Sequence, residues 1–177
     1  RGDHKAASNL YNQVINHSDV SLQIFHKSKL ALGIINLKDS HLILEQYITQ
    51  HPDTPYLNEA IKHLLQYFNK NNFDDMELNY YNKYIEIFSE DPWFLNQFAW
   101  RMTELNVNLD LALEKINIAL EQIEDDKNKA MILDTKAEIY WKLGKTNDSI
   151  LIINDCISLD PNNQYYYNQK SKFLQSI

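Results

Sequence analysis

Apolar and polar positions recur with the period of an α-helix over residues 130–161, AMILDTKAEIYWKLGKTNDSILIINDCISLDP. Leu133, Ala137, Tyr140 and Leu143 follow one another at steps of three and four residues, which places them on one helical face. Gly144 comes next, and its missing Cβ tolerates the left-handed conformation that often ends a helix. The pattern therefore predicts an amphipathic helix that stops at Gly144.

The same spacing returns after the glycine. Asn147 or Asp148 is a suitable N-cap for a second helix, which Asp160-Pro161 closes. Its apolar face comprises Ile150, Ile153, Cys156, Ile157 and Leu159. Two such short helices form a hairpin, and neither is long enough to be stable alone. The hairpin is expected to bury its apolar face against a neighbouring unit.

Similar helical segments fill the rest of the chain, so the sequence predicts an all-α array of about four hairpins with a terminal helix. The predicted segments are a partial repeat at 4–18, hairpins at 19–52, 55–91, 92–126 and 129–161, and a capping helix at 163–177. Together they are expected to form one domain, 1–177. The first residues, RGDHKAAS, lack a starting Met and a signal peptide, so we expect the natural protein to extend further toward its N-terminus.

Individual residues define the expected faces and caps of these helices. The predicted caps are Asp39 or Ser40 in the first hairpin, Asp91 before Pro92, and Asp110 in the third. The predicted apolar and small positions are Ile24, Phe25, Ser28, Ala31, Leu32 and Ile35 in the first helix of hairpin 1, Ile61, Leu64, Leu65 and Phe68 in the first helix of hairpin 2 and Met76, Tyr80, Tyr81, Tyr84, Ile85 and Phe88 in its second. In hairpin 3 they are Leu95, Ala99 and Met102, and in the capping helix Tyr167, Ser171 and Leu174.

The fourth hairpin resembles the tetratricopeptide repeat, in the order of a large apolar residue, a small one, an aromatic, a turn glycine, a small residue and a closing proline. Leu133, Ala137, Tyr140, Gly144, Cys156 and Pro161 hold these places here. The resemblance implies a right-handed superhelix of helical hairpins, an α-solenoid, and a non-catalytic role as a scaffold that binds proteins or peptides. It implies no cofactor.

In that family the first helix of each hairpin lines a concave groove. Carried over by position, the resemblance places in the groove Phe25, Lys29, Glu59, Lys62, Gln66, Trp93, Asn96, Trp100, Asp134, Glu138 and Trp141. Exposed Trp side chains are frequent binding hot spots. The alternative is that the three tryptophans pack between adjacent repeats. The acidic pair Asp134 and Glu138 would repel the carboxylate of an acidic peptide terminus.

A second resemblance covers Asp91–Met102, DPWFLNQFAWRM, which is similar to the helical C-terminal region of some thioredoxin-like proteins of the Bacteroidetes. It implies, as an alternative function, an accessory region of a larger thioredoxin-like oxidoreductase. A third hypothesis is a module for self-association, which would make the protein a homo-oligomer.

Composition narrows the class of partner. The 177 residues carry 24 acidic and 17 basic side chains, a net charge of −7, which argues against nucleic acid as a ligand. No apolar run reaches the roughly 18 residues that a membrane-spanning helix needs. The single cysteine excludes an internal disulfide and indicates no compartment.

No catalytic or metal-binding motif stands out. The six histidines form no His-x-x-x-His pair on one helical face, although His51 and His63 could meet in space. Cys156 stands where the repeat requires a small buried residue, and burial disfavours a reactive thiolate. The sequence therefore predicts no catalytic, metal or cofactor site.

Overall fold

The structure is a computed structural model that describes residues 3–35 and 40–176. The chain divides into two compact units, Arg1–Lys83 (unit 1) and Tyr84–Ile177 (unit 2). All regular elements in the described ranges are helices, which confirms the all-α prediction. The single domain over 1–177 stays a prediction.

Unit 1 is built from helices that each pack against the next in the chain, as far as α4. They are α1 (His4–Ile15), α2 (Leu22–Ile35), α3 (Ser40–Gln50), α4 (Leu57–Lys70) and α5 (Asp74–Tyr84), which ends at the unit boundary. The predicted cap Asp39 lies outside the described residues. Ile61, Leu64, Leu65 and Phe68 are all fully buried, so the predicted face of α4 is confirmed.

The inner face of α2 agrees with the prediction only in part. Ser28 is buried as predicted, but Ile24 is 50% exposed, and His26, Leu30 and Gly33 are buried. The reason is a close approach of α2 to α3: a Cβ on Gly33 would lie 2.5 Å from Leu44 Cδ2. The missing Cβ of Gly33 therefore leaves room for the Leu44 side chain against α2. In α5, Met76 is 39% exposed, whereas Tyr81 of the same predicted face is buried.

Unit 2 repeats one pattern of packing. Its helices are α6 (Pro92–Leu105), α7 (Leu109–Glu121), α8 (Asp126–Lys142), α9 (Thr146–Leu159) and α10 (Gln164–Leu174). Each packs against the next, and α6 also packs against α8. First helices of consecutive hairpins therefore lie side by side, as stacking of hairpins requires. The predicted core residues Leu95, Ala99, Met102, Ala137 and Cys156 are all fully buried.

The first helix of three hairpins ends in the same way. Asn72, Asn106 and Gly144 all have positive φ, at 56°, 55° and 74°. After each, a backbone N–H reaches back to a carbonyl of the last helical turn: Phe73 to Phe68, Val107 to Met102, and Lys145 to Tyr140. This is the Schellman motif, which glycine and asparagine favour. The end predicted at Gly144 is confirmed.

The N-caps follow the sequence only in part. Asp91 Oδ1 accepts hydrogen bonds from the backbone N–H groups of Trp93 and Phe94, at 3.0 and 3.1 Å, as predicted. Asp110 lies in the first turn of α7, because the left-handed Asn108 is its N-cap and the helix starts two residues earlier than predicted. Asn147 and Asp148 lie within α9, which the compact turn at Gly144 starts at Thr146.

The buried face of α10 is shifted by one residue from the prediction. Tyr166, Gln169 and Phe173 are buried, whereas Tyr167 is 39% and Leu174 50% exposed. The shift follows from Phe173, which packs against Trp141 of α8 with ring centroids 5.8 Å apart. Burial of this ring fixes the rotation of α10 about its axis.

Candidate functional site

A cavity of about 380 Å³ opens in unit 2 beside α6, α8 and the start of α10. Its lining combines aromatic rings with amide and carboxyl groups, and includes Asn96, Trp100, Met131, Asp134, Tyr165 and Tyr166. The contact of α6 with α8 brings Asn96, Trp100 and Asp134 together, three of the residues that the repeat resemblance places in the groove. We call this space the α6–α8–α10 cavity.

Asp134 is the charged side chain of this cavity. It is 7% exposed, and its Oδ1 atom is buried with no hydrogen-bond partner among the residues that the structure describes. Burial raises the pKa of Asp134 to about 6, a hydrogen bond from Tyr165 opposes the rise, and the charge of Glu138 adds to it. Burial also raises the pKa of Tyr165, which keeps its hydroxyl protonated as a donor.

Asn96 adds a second buried acceptor from α6. Its Oδ1 atom also has no hydrogen-bond partner within the described ranges. Buried polar atoms are normally paired, because an unpaired one costs on the order of 1–3 kcal/mol. Two buried acceptors without partners in the described structure therefore line the same cavity.

Glu138 and Lys172 form an ion pair next to Asp134. Glu138 is buried, and its Oε1 atom accepts a hydrogen bond of 2.5 Å from Lys172 Nζ. Gln169 Nε2 donates to Tyr165 Oη at 2.7 Å and lies 3.5 Å from Glu138 Oε2. The ion pair joins α8 to α10, and the carboxylate of Glu138 contacts Lys172 and Gln169 of α10.

The three tryptophans occupy different environments. Trp100 is half-buried on the wall of the cavity, and Trp93 is 38% exposed in the first turn of α6. Trp141 is half-buried under α10: its Nε1 donates to Ser176 Oγ at 2.8 Å, and Lys172 Nζ lies 4.3 Å from its ring centre. The packing alternative thus describes Trp141, whereas Trp100 reaches the cavity.

The groove residues named for unit 1 lie at two places. Lys62 and Gln66 of α4, with Glu59, line an open cavity of about 470 Å³. Phe25 and Lys29 of α2 belong to an aromatic cluster, in which Phe25 meets the rings of His26 and His51 edge-on, with centroids 5.5 and 5.3 Å apart. His26, Tyr47 and Thr54 are hydrogen-bonded to one another in the interior.

Sequence reasoning missed the contribution of α10 to the cavity. Tyr165 and Tyr166 were not among the expected groove residues, because α10 was interpreted as a cap with Tyr167 inward. The run Tyr165-Tyr166-Tyr167 was a usable signal. Consecutive residues of a helix point in directions about 100° apart, so three consecutive aromatic side chains cannot all be buried against one neighbour. At least one of them must lie at an open surface.

Among the described residues, no group of three or more His, Cys, Asp or Glu side chains could hold a metal ion. Cys156 is fully buried, and burial raises the pKa of its thiol. None of the helices within these residues has the length and apolarity that would carry it through a bilayer.

Comparison with known families supports the interpretation of the fourth hairpin. Residues 132–163 match the family model of the tetratricopeptide repeat. The match spans most of α8, all of α9 and the turn that leads to α10. No curated protein matches the chain.

Solved structures extend the likeness to the fold of the chain. YrrB, described as a TPR protein with an unusual peptide-binding site, matches with a TM-score of 0.72 and 16% identity over 96% of this chain and 84% of its own. MamA (MSR-1, C2) matches with a TM-score of 0.64 and 16% identity over 89% and 87%. The resemblance of Asp91–Met102 to thioredoxin-associated helices receives no support from these comparisons.

Proposed function

Because residues 132–163 form a tetratricopeptide repeat and the chain has the fold of such repeat proteins, we propose that it is a scaffold that binds a peptide segment of another protein in the α6–α8–α10 cavity. One observation carries this proposal: buried acceptors of Asn96 and Asp134 without partners in the described structure line the same cavity as the ring of Trp100. The peptide-binding site described for YrrB supports it as a precedent on this fold.

The energetics of Asp134 favour a binding role over a structural one. An ionised carboxylate that is buried without a full set of donors costs stability, and packing alone would be served better by an apolar side chain. Residues kept at such a cost cluster at functional sites. Trp100 supplies contact area with few rotamers to freeze, so it is the expected hot spot.

The proposed site uses residues of unit 2 from three helices. Asn96, Trp100 and Asp134 form the centre of the binding surface. Trp93 lies one helical turn or more from them and forms its edge. We assign Glu138 and Trp141 to positioning α10, and we leave the contribution of Phe25, Lys29, Lys62 and Gln66 in unit 1 as a prediction. No catalytic step is assigned to any of these residues.

The test is selection of peptides from a displayed random library on the immobilised protein. The selected peptides are then titrated against Trp100→Ala and, as the matched control, Trp93→Ala. Loss of a central aromatic contact should weaken binding about 30-fold, whereas loss of the edge residue should change it less than threefold. Helical melting monitored by circular dichroism should be nearly the same for both variants. Failure to select any peptide, or equal affinity of Trp100→Ala and the unmodified protein, would refute the proposal.

A further inference from the structure

We infer that the α6–α8–α10 cavity selects a basic side chain of the bound peptide, an arginine, whose guanidinium group is held by Asp134 and Asn96 between aromatic rings. This inference rests on the proposed function and specifies the chemistry of its ligand. It follows from which groups in the cavity still need a partner, and from the charge that such a partner must carry.

The first step concerns donors and acceptors. The carboxylate of Asp134 can only accept hydrogen bonds, and the Oδ1 atom of Asn96 is likewise an acceptor. Both atoms are buried and lack a partner in the described part of the chain. The matching ligand group must therefore carry several N–H donors in one place.

The second step concerns charge. Asp134 is 93% buried, and Lys172, the cation that acts on it, is already paired with Glu138, so two ionised carboxylates share one positive charge and one negative charge stays uncompensated among these three groups. A neutral donor, such as a peptide N–H, would satisfy the hydrogen bonds and leave the charge uncompensated. A carboxylate ligand would meet the negative charges of both Asp134 and Glu138. Only a cationic donor answers both requirements.

The third step is that the nearby basic side chain is engaged elsewhere. Lys172 Nζ donates to Glu138 Oε1 at 2.5 Å and lies 4.3 Å from the ring centre of Trp141. Gln169 Nε2 donates to Tyr165 Oη. Tyr165 and Gln169 of α10 also hydrogen-bond to the Asp134 carboxyl, but its Oδ1 atom has no partner among the described residues.

The fourth step distinguishes arginine from lysine. Trp100 and Tyr165 line the same cavity as the two acceptors. A guanidinium group is planar, stacks on aromatic rings and presents paired N–H donors to a carboxylate. An ammonium group is a strongly hydrated point charge that gains less from an aromatic wall. The cavity, at about 380 Å³, accommodates a whole arginine side chain.

The experiment compares three capped peptides of identical length, Ac-Gly-Ser-Xaa-Ser-Gly-NH₂, in which Xaa is arginine, citrulline or lysine. Citrulline has the shape of arginine without its charge. Binding is followed in two-dimensional ¹H–¹⁵N spectra of the full chain. The arginine peptide should shift amide signals of α6, α8 and the start of α10 and bind at least tenfold more tightly than the citrulline peptide, with lysine between them.

Variants assign the effect to the two acceptors. In Asp134→Asn, the preference for arginine over citrulline should disappear, whereas Asp155→Asn, at an exposed position of α9, should retain it. Asn96→Ala should reduce the preference severalfold and serves as a second variant. Equal binding of arginine and citrulline peptides, or an unchanged preference in Asp134→Asn, would overturn the inference.

Two further arms separate this inference from the proposed function. If library-selected peptides bind through Trp100 but show no dependence on arginine, the scaffold function stands and the inference fails. If no peptide binds, the proposed function fails as well. Methylguanidinium alone should bind at least tenfold more weakly than the arginine peptide, and equal affinity would show that the site serves a free cation rather than a peptide.

Discussion

Lys172 Nζ of α10 lies 2.5 Å from Glu138 Oε1 of α8, across a contact between residues 34 positions apart in the sequence. The carboxylate is buried, while the lysine side chain is 39% exposed. The ammonium group also lies over the rings of Trp141 and Phe173, at 4.3 and 5.5 Å from their centres. One partly exposed cation thus compensates a buried charge and covers the aromatic contact that holds α10.

Lys172→Met should destabilise unit 2 by about 2 kcal/mol, because it leaves a buried carboxylate without its cation. The loss should appear as faster amide hydrogen exchange in α10 and as a lower Tm. Lys127→Met, at an exposed position near the start of α8, is the matched control and should leave both unchanged. Equal exchange in the two variants would show that the ion pair contributes nothing to docking of α10.

Asp134→Asn should stabilise the protein at neutral pH but not in acid. Because the folded-state pKa of Asp134 is raised from 3.8 to about 6, the folded state holds this proton more tightly than the unfolded state. Ionisation of Asp134 therefore lowers the free energy of unfolding of the unmodified protein. This loss is absent below about pH 4, grows as pH rises toward 6, and is complete above pH 6. It amounts to about 3 kcal/mol at most, from 1.36 kcal/mol per pKa unit.

The measurement is chemical denaturation of Asp134→Asn and the unmodified protein from pH 4 to pH 7.5. The groups that act on this carboxyl are Tyr165, Glu138, Gln169 and Lys172, and all are retained in the variant. The difference in free energy of unfolding should increase with pH in favour of the variant. A difference that is constant with pH would contradict the assigned burial of the charge.

Gly144→Ala should lower the free energy of unfolding by about 1 kcal/mol, because alanine is strained in the left-handed backbone conformation of this position. Gly144 has a φ of +74°, and a Cβ built on it would meet no atom within 4 Å, so strain rather than a clash is the cause. Asn106→Gly, at the equivalent place after α6, should be tolerated or slightly stabilising. Urea denaturation compares the two, and an Ala variant as stable as the unmodified protein would be incompatible with the Schellman turn described above.

Gly33→Ala should be more damaging, because its Cβ would lie 2.5 Å and 2.7 Å from two atoms of Leu44. Leu44 is 1% exposed and cannot move aside, so we expect a loss of about 2 kcal/mol in unit 1. Leu44→Ala is destabilising by itself, but the double variant should lose less stability than the sum of the two single losses, because the alanine at position 33 then has room. Additive losses would mean that the two residues are not in contact.

Much of the fold was accessible from the sequence because helical periodicity is a local signal. The face of α4 and the end of α8 at Gly144 were predicted because each depends on residues close together in the chain. Errors arose where a contact between distant residues decided the outcome. Leu44 packs close to Gly33 of α2, and Phe173 of α10 packs against Trp141 of α8.

In the candidate site, too, the residues that follow from local repeat geometry were predicted and those that depend on distant contacts were not. Asn96, Trp100 and Asp134 were named because repeat geometry places equivalent positions of successive first helices side by side. Tyr165 and the pairing of Glu138 with Lys172 were missed, since both depend on how α10 returns over α8. Burial of Asp134 with one oxygen unpaired in the described structure is a consequence of packing from three helices, which no periodic pattern encodes.

The fully buried Cys156 allows opening of the fourth hairpin to be measured by the rate at which its thiol is labelled. It is the one cysteine of the sequence, so any thiol modification of the chain reports on this position alone. An alkylating reagent reaches the sulfur only when α8, α9 and α10 separate. The observed labelling rate is then the rate at which the reagent alkylates an accessible thiol, multiplied by the fraction of molecules in which the hairpin is open. Labelling of intact protein, followed by mass spectrometry, would therefore measure the free energy of that opening with no added probe.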